Sequence, residues 1–134
     1  MANIKDIEGV GEALAAKLAE AGAGSVEKAL ELGGTKKGRE ELAEKSGVSE
    51  KVILKIVNHA DLFRVKGVGP QMAELLEASG VDTVAELAQR NAGSLTAKLA
   101  EVNEAKNLVN RVPSESEVAK WVEEAGSLPK AVTY

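Results

Sequence analysis

Ile7-Glu8-Gly9-Val10-Gly11, near the start of this chain of 134 residues, returns 58 residues later as Val65-Lys66-Gly67-Val68-Gly69. The match continues toward the C-terminus without a gap, so that Gly22 corresponds to Gly80 and the apolar positions in between coincide. Because the glycines, their spacing and the following apolar pattern agree together, we interpret the match as an internal duplication. One structural unit is therefore expected twice.

The pattern around each glycine pair predicts a tight turn followed by a helix. Glycine permits backbone angles that a side chain would penalise. Pro70 stands where the second of these helices should begin, a position that tolerates proline. Apolar residues then recur at helical spacing. Gly22 and Gly80 are expected to end the two helices in the left-handed conformation, and Ser25 and Thr83 to cap the helices that follow.

The rest of each copy is also expected to be helical. In the first copy, a polar helix is predicted over residues 35–46 and a longer one after Ser49. In the second copy, an apolar stripe that reaches Val109 predicts a helix that continues to Pro113. Ser114 then opens a capping-box pattern, which indicates the start of a last helix.

These elements predict an all-α fold with eight or nine short helices packed as one compact unit. The first repeat should span residues 1–61. The second should span 62–134 and include the C-terminal helix, with Trp121 in its core, and the tail. Apolar residues make up 44% of the chain and aromatic residues only 2%, so the core must consist mainly of small and aliphatic side chains.

Composition argues against several kinds of chemistry. The chain has no cysteine, which removes disulfides, thiolate metal sites and cysteine nucleophiles. His59 is the only histidine, so we expect neither a catalytic triad nor a histidine metal cluster, and we expect His59 at the surface or its boundary. A dinucleotide site is also rejected, because no strand precedes the glycines and a third glycine is missing. The sequence therefore predicts no enzyme, no cofactor and no metal.

The chain also lacks the usual signals for membrane or secretory targeting. Residues 1–6 contain no apolar stretch after a basic run, and no window approaches the roughly 20 apolar residues of a membrane helix. We expect a cytoplasmic protein without a membrane partner.

The two glycine turns resemble the helix-hairpin-helix superfamily. Its pattern has two apolar residues three apart, then Gly-apolar-Gly, then Ala and a further apolar residue. The matching positions are Ile4, Ile7, Gly9, Val10, Gly11, Ala15 and Leu18 in the first copy, and Leu62, Val65, Gly67, Val68, Gly69, Ala73 and Leu76 in the second. The whole chain also resembles domain-of-unknown-function family 4332, on residues 6–11 and 128–134 above all. The resemblance implies two tandem helix-hairpin-helix (SAM-like) repeats.

The resemblance also implies a function, because related modules in DNA repair, ligation and Holliday-junction proteins contact a DNA phosphate through backbone N–H groups. Exposed main-chain donors and the positive N-terminal end of a helix suit such a contact. However, the net charge is −4, with 17 basic and 21 acidic residues, and proteins that bind nucleic acid through a broad electrostatic surface are usually basic. Any binding must come from a local patch.

Charge distinguishes the two turns. Around the first, Lys5 is outnumbered by Asp6, Glu8 and Glu12, so we expect that hairpin to be structural. Around the second, Arg64 and Lys66 have no acidic neighbour over residues 62–72, and the neutral, polar Gln71 follows. The expected phosphate donors are the backbone N–H groups of Gly67, Val68 and Gly69.

Two further lysines extend the predicted phosphate surface. Lys51 and Lys55 are four residues apart and share one helix face that leads toward Arg64. The alternative is that they are merely the solvated face of an amphipathic helix. Similarly, the basic run 36–39 is followed by glutamates, so pairing along a helix could neutralise it.

Two functions remain open from the sequence. The first is weak, sequence-independent binding of DNA or another nucleic acid through the second hairpin. The second is a protein–protein interaction adaptor in which both hairpins are purely structural. No small-molecule substrate is evident.

Overall fold

The structure is a computed structural model that describes residues 4–7 and 9–134. In these residues it contains eight α-helices, a short 3₁₀ turn at Ile4–Asp6 and no strand. The helices are α1 (Glu12–Glu20), α2 (Val26–Gly33), α3 (Lys36–Ser46), α4 (Glu50–Leu62), α5 (Pro70–Ala78), α6 (Val84–Ala88), α7 (Ala92–Lys106) and α8 (Glu115–Ser127). The all-α class expected from the sequence is confirmed. Among the described residues, none of the helices combines the length and apolar character needed to cross a membrane.

The chain divides into two compact units. The first contains the residues up to Asp61 together with 130–134, and the second contains 62–129. In the first unit α3 packs against α1 and α2. In the second, α8 packs against α6 and α7, and α5 packs against α7.

The tail belongs to the first unit, whereas the division made from the sequence groups it with the second repeat. The physical reason is a set of backbone and side-chain contacts in the first unit. Thr133 donates its N–H to the carbonyl of Gly34 at 2.7 Å, and Arg39 donates to the carbonyl of Thr133 at 2.6 Å. Val132 is buried. The tail therefore completes the first unit although it follows the second in sequence.

The sequence repeat is also a repeat of backbone conformation. Gly9 and Gly67 both have positive φ, at 88° and 93°. Gly11 and Gly69, which precede α1 and α5, have φ/ψ of −98°/−174° and −100°/−172°. The two turns therefore share one geometry within a few degrees, although the residues that flank the glycines differ in charge.

Hydrogen bonds repeat at the same positions. Val10 donates its N–H to Ile7 at 3.0 Å, and Val68 donates to Val65 at 3.1 Å, which closes both turns alike. Gly22 and Gly80 follow α1 and α5 with φ of 96° and 92°, so the predicted left-handed glycine ends are confirmed.

Side-chain caps begin most of the other helices. Capping oxygens that accept a hydrogen bond from the first turn belong to Ser25, Thr35, Ser49, Thr83, Asn91 and Ser114. At α8 the complete capping box predicted for Ser114 and Glu117 is present. Such caps satisfy N–H groups that have no acceptor within the helix.

Helix α7 ends earlier than its apolar stripe suggests. It ends at Lys106, because Asn107 adopts a left-handed conformation with φ 51° and ψ 51°. The side chain of Asn103 then holds the loop that follows. It accepts from the N–H groups of Leu108 and Val109 at 2.7 and 2.9 Å and donates to the carbonyl of Val109 at 3.0 Å. The prediction that this helix includes Val109 and continues to Pro113 is therefore wrong.

The core of the second unit consists of aliphatic side chains around one tryptophan. Trp121 is buried among residues that include Leu75, Leu76, Leu87 and Leu99, which confirms its predicted place in the core. His59, on α4 in the first unit, is completely buried rather than at the surface. The expected position at the surface or its boundary was wrong, because helix periodicity alone does not show which polar residue lies on the buried face of a helix.

Candidate functional site

The second glycine turn leaves part of its backbone exposed. Gly67 is exposed and Gly69 is half-buried, whereas the side chains of Val65 and Val68 on either side of Gly67 are buried. The N–H of Val68 already donates to Val65 within the turn. Val68 therefore does not supply the outward donor that the sequence suggested, and Gly67 and Gly69 are the turn residues that can.

The start of α5 adds further donors beside the turn. Gly69 precedes the helix without any side-chain cap, and Pro70 has no N–H. Ala73 is the first residue of the helix whose N–H has a backbone acceptor: it donates to the carbonyl of Gly69 at 2.9 Å. The N–H groups of Gln71 and Met72 precede it in the first turn, where an α-helix has no internal acceptors. This end of the helix also carries a partial positive charge.

A cleft of about 290 Å³ lies against this helix start. One wall consists of Gly67, Gly69, Gln71 and Met72, and the other consists of residues 108–111. The second wall is the loop created by the early end of α7. Sequence reasoning missed it, because the apolar stripe was extended to Val109. The available signal was an asparagine near the helix end, since Asn tolerates the left-handed conformation that ends helices.

Arg111 gives this cleft a cationic side chain. Its guanidinium makes two hydrogen bonds to the carboxylate of Glu117, at 2.9 and 3.1 Å. These bonds, together with the backbone N–H of Ser114, lower the pKa of Glu117 to about 2. The bonds to Glu117 also raise the pKa of Arg111. The side chain of Arg111 remains 73% exposed, so its other N–H groups can reach a ligand.

An acidic side chain also reaches the second turn. Both carboxylate oxygens of Glu124 lie within hydrogen-bond distance of the N–H of Lys66, at 3.1 and 3.3 Å. Trp121, one helical turn earlier on α8, has its indole nitrogen 3.2 Å from where a Cβ on Gly67 would lie. The local charge count over residues 62–72 could not include Glu124, because α8 is brought to the turn only by folding.

The two basic residues of the turn have different surroundings. Arg64 is half-buried and donates to the carbonyl of Pro129 at 2.6 Å. Lys66 is exposed. Arg64 is therefore engaged with the chain itself, and Lys66 is the flanking cation whose side chain extends into solvent.

The other predicted basic residues lie in the first unit. Lys51 is exposed and Lys55 half-buried on α4. They therefore belong to a different compact unit from the cleft, and the candidate site consists of second-unit residues alone. Near the first turn, Asp6 and Glu12 are exposed, whereas Glu8 lies outside the described residues.

A family model described as Domain of unknown function (DUF4332) matches residues 8–128. No curated protein and no solved structure matches the chain.

Proposed function

The chain belongs to the DUF4332 family, and we propose that it is a non-catalytic, tandem helix-hairpin-helix module that binds the phosphate backbone of nucleic acid. The second hairpin makes the contact. Binding is weak and independent of base sequence, because main-chain N–H groups and a guanidinium recognise a phosphate that every nucleotide carries.

The observation that carries the proposal is the meeting of three anion-binding features in one cleft. The glycine turn, the uncapped start of α5 and Arg111 line the same space of about 290 Å³. Helix N-termini attract phosphate through their free N–H groups and dipole, and arginine suits the geometry of phosphate oxygens. Lys66 extends the cationic character beside the turn.

Charge limits the affinity of this site. Arg111 lines the cleft, Lys66 precedes the turn in sequence, and the chain as a whole carries a net charge of −4. The counterion-release relation then gives a log–log salt slope of about −2 and a dissociation constant on the order of 10⁻⁵ M or weaker at physiological salt.

Fluorescence anisotropy with a labelled DNA duplex at low salt tests the proposal. Arg111→Gln should weaken binding and reduce the magnitude of the salt slope by about one. Lys66→Glu should weaken binding further, because it reverses a charge beside the turn. Lys98→Gln is the matched control, since Lys98 is exposed on α7 and does not line the cleft. Absence of binding at low salt, or equal losses for Arg111→Gln and Lys98→Gln, would contradict the proposal.

A protein–protein adaptor is the second candidate, and one observation favours it. Two donors near the hairpin are already used inside the protein: the Lys66 N–H by Glu124 and the Arg64 guanidinium by Pro129. Such internal satisfaction is what a purely architectural turn would show. Affinity purification with and without nuclease distinguishes the candidates, because protein partners that persist after nuclease treatment favour the adaptor.

A further inference from the structure

The carboxylate of Glu124 lies beside the second turn. Its two oxygens lie 3.1 and 3.3 Å from the N–H of Lys66, the residue immediately before Gly67. A carboxylate on a backbone N–H makes the same kind of charge-assisted hydrogen bond that a phosphate oxygen would make. One donor of the turn is therefore bound to an anion that the chain itself provides.

We propose that Glu124 is a built-in competitor that limits phosphate binding at the second hairpin. This inference rests on the proposed function and adds a form of regulation to it. The carboxylate acts in two ways: it uses the Lys66 N–H, and it holds a negative charge next to the donors of Gly67. A phosphate that docks on the turn must displace the carboxylate or bind against its repulsion.

The helix that carries Glu124 packs in the core of the second unit through Trp121. Trp121 is buried in the second unit, and its indole nitrogen lies 3.2 Å from where a Cβ on Gly67 would be. Because Glu124 follows Trp121 by three residues on α8, both side chains lie on the same face of the helix. The buried ring therefore anchors the part of α8 from which Glu124 reaches the turn.

The neighbouring residue Glu123 provides a matched control. It carries the same charge on the same helix and is exposed, and within the described part of the chain its side chain makes no hydrogen bond or ion pair. Glu123→Gln and Glu124→Gln therefore change the net charge of the protein equally. They differ in whether the lost charge lies on the Lys66 N–H.

The test is an anisotropy titration of a labelled DNA duplex at low salt against the full chain and these two variants. Glu124→Gln should tighten binding roughly tenfold, the effect of relieving a close like charge at the protein surface. Glu123→Gln should tighten it only about twofold, because exposed charges further away are screened. Glu124→Ala, which also removes the acceptor, should bind at least as tightly as Glu124→Gln.

The amide signal of Lys66 in NMR spectra gives an independent readout. It should shift in Glu124→Gln, stay in place in Glu123→Gln, and shift further when the duplex is added to the Glu124 variant. If the two Gln variants bind equally while the loss in Arg111→Gln persists, the competitor inference is wrong and the binding proposal stands. If wild type and all variants fail to bind at low salt, both proposals are refuted.

Discussion

Replacement of Arg39 should loosen the tail on the first unit, because its buried guanidinium donates to backbone carbonyls of both. Arg39 is only 5% exposed. It donates to the carbonyls of Gly33 and Gly34 at 2.9 and 3.1 Å and to that of Thr133 at 2.6 Å. Its guanidinium also lies 5.8 Å from the centre of the Tyr134 ring. The perturbation we consider is Arg39→Met, which keeps much of the volume and removes every donor.

The magnitude follows from the groups left without a partner. Gly34 keeps one hydrogen bond, from the N–H of Thr133 at 2.7 Å. The carbonyls of Gly33 and Thr133 lose the bonds from Arg39, and hydrogen bonds to charged groups contribute about 1.5–3 kcal/mol each. Removal of the buried charge offsets part of this loss of stability, since burying a cation is itself costly. We expect a loss of about 2–4 kcal/mol in the free energy of unfolding.

Urea denaturation followed by circular dichroism measures this loss, and amide exchange locates it. The Thr133 amide should exchange much faster in Arg39→Met. Lys37→Met, at an exposed position on the same helix, should change stability by less than about 0.5 kcal/mol. If Arg39→Met lost no more free energy of unfolding than this control, and the Thr133 amide stayed protected from exchange, the guanidinium would not be what stabilises the tail.

Three further predictions concern individual turns and caps. Gly67→Ala should cost more stability than Gly9→Ala in urea denaturation, by about 1 kcal/mol, the lower end of the usual cost of overpacking. Both have positive φ, but only at Gly67 does the added Cβ approach another side chain within 4 Å, so equal losses would contradict the packing described. Glu117 has a lowered pKa of about 2 in the folded state, so its contribution to stability is present above pH 4.5 and is lost as the pH falls toward 2. Wild type and Glu117→Gln should therefore converge in stability over that range, and a constant difference would refute the assignment. Asn103→Ala should lower stability by about 1–3 kcal/mol, because two N–H groups and a carbonyl of the next loop lose their partner; unchanged amide exchange in that loop would argue against this.

The features predicted correctly from the sequence are those fixed by local chemistry. The left-handed Gly22 and Gly80 follow from the need for positive φ after a helix. The capping box at Ser114 and Glu117 is likewise determined within four residues of chain. The duplication strengthened the prediction of these turns and helices, because the same short pattern occurs twice in register. Element types could be predicted for this reason, without knowledge of tertiary contacts.

The missed features depend on residues that are far apart in sequence. The approach of Glu124 to Lys66 spans 58 residues, and a charge count along the chain does not include it. For the basic run that includes Arg39, the sequence suggested pairing with glutamates along a helix, yet Arg39 is buried against backbone carbonyls. The cationic partner of the cleft, Arg111, was missed because α7 ends before the apolar stripe does.

In the proposed function the second turn binds phosphate and the first does not. Titration of the labelled protein with a short DNA duplex at low salt, followed by two-dimensional amide NMR, tests it directly, since the nearly identical first turn is an internal control. We predict that the amide signals of Gly67, Gly69 and Gln71 shift with increasing duplex, whereas those of Gly9 and Gly11 stay in place. Equal shifts at both turns, or none at either, would contradict the account.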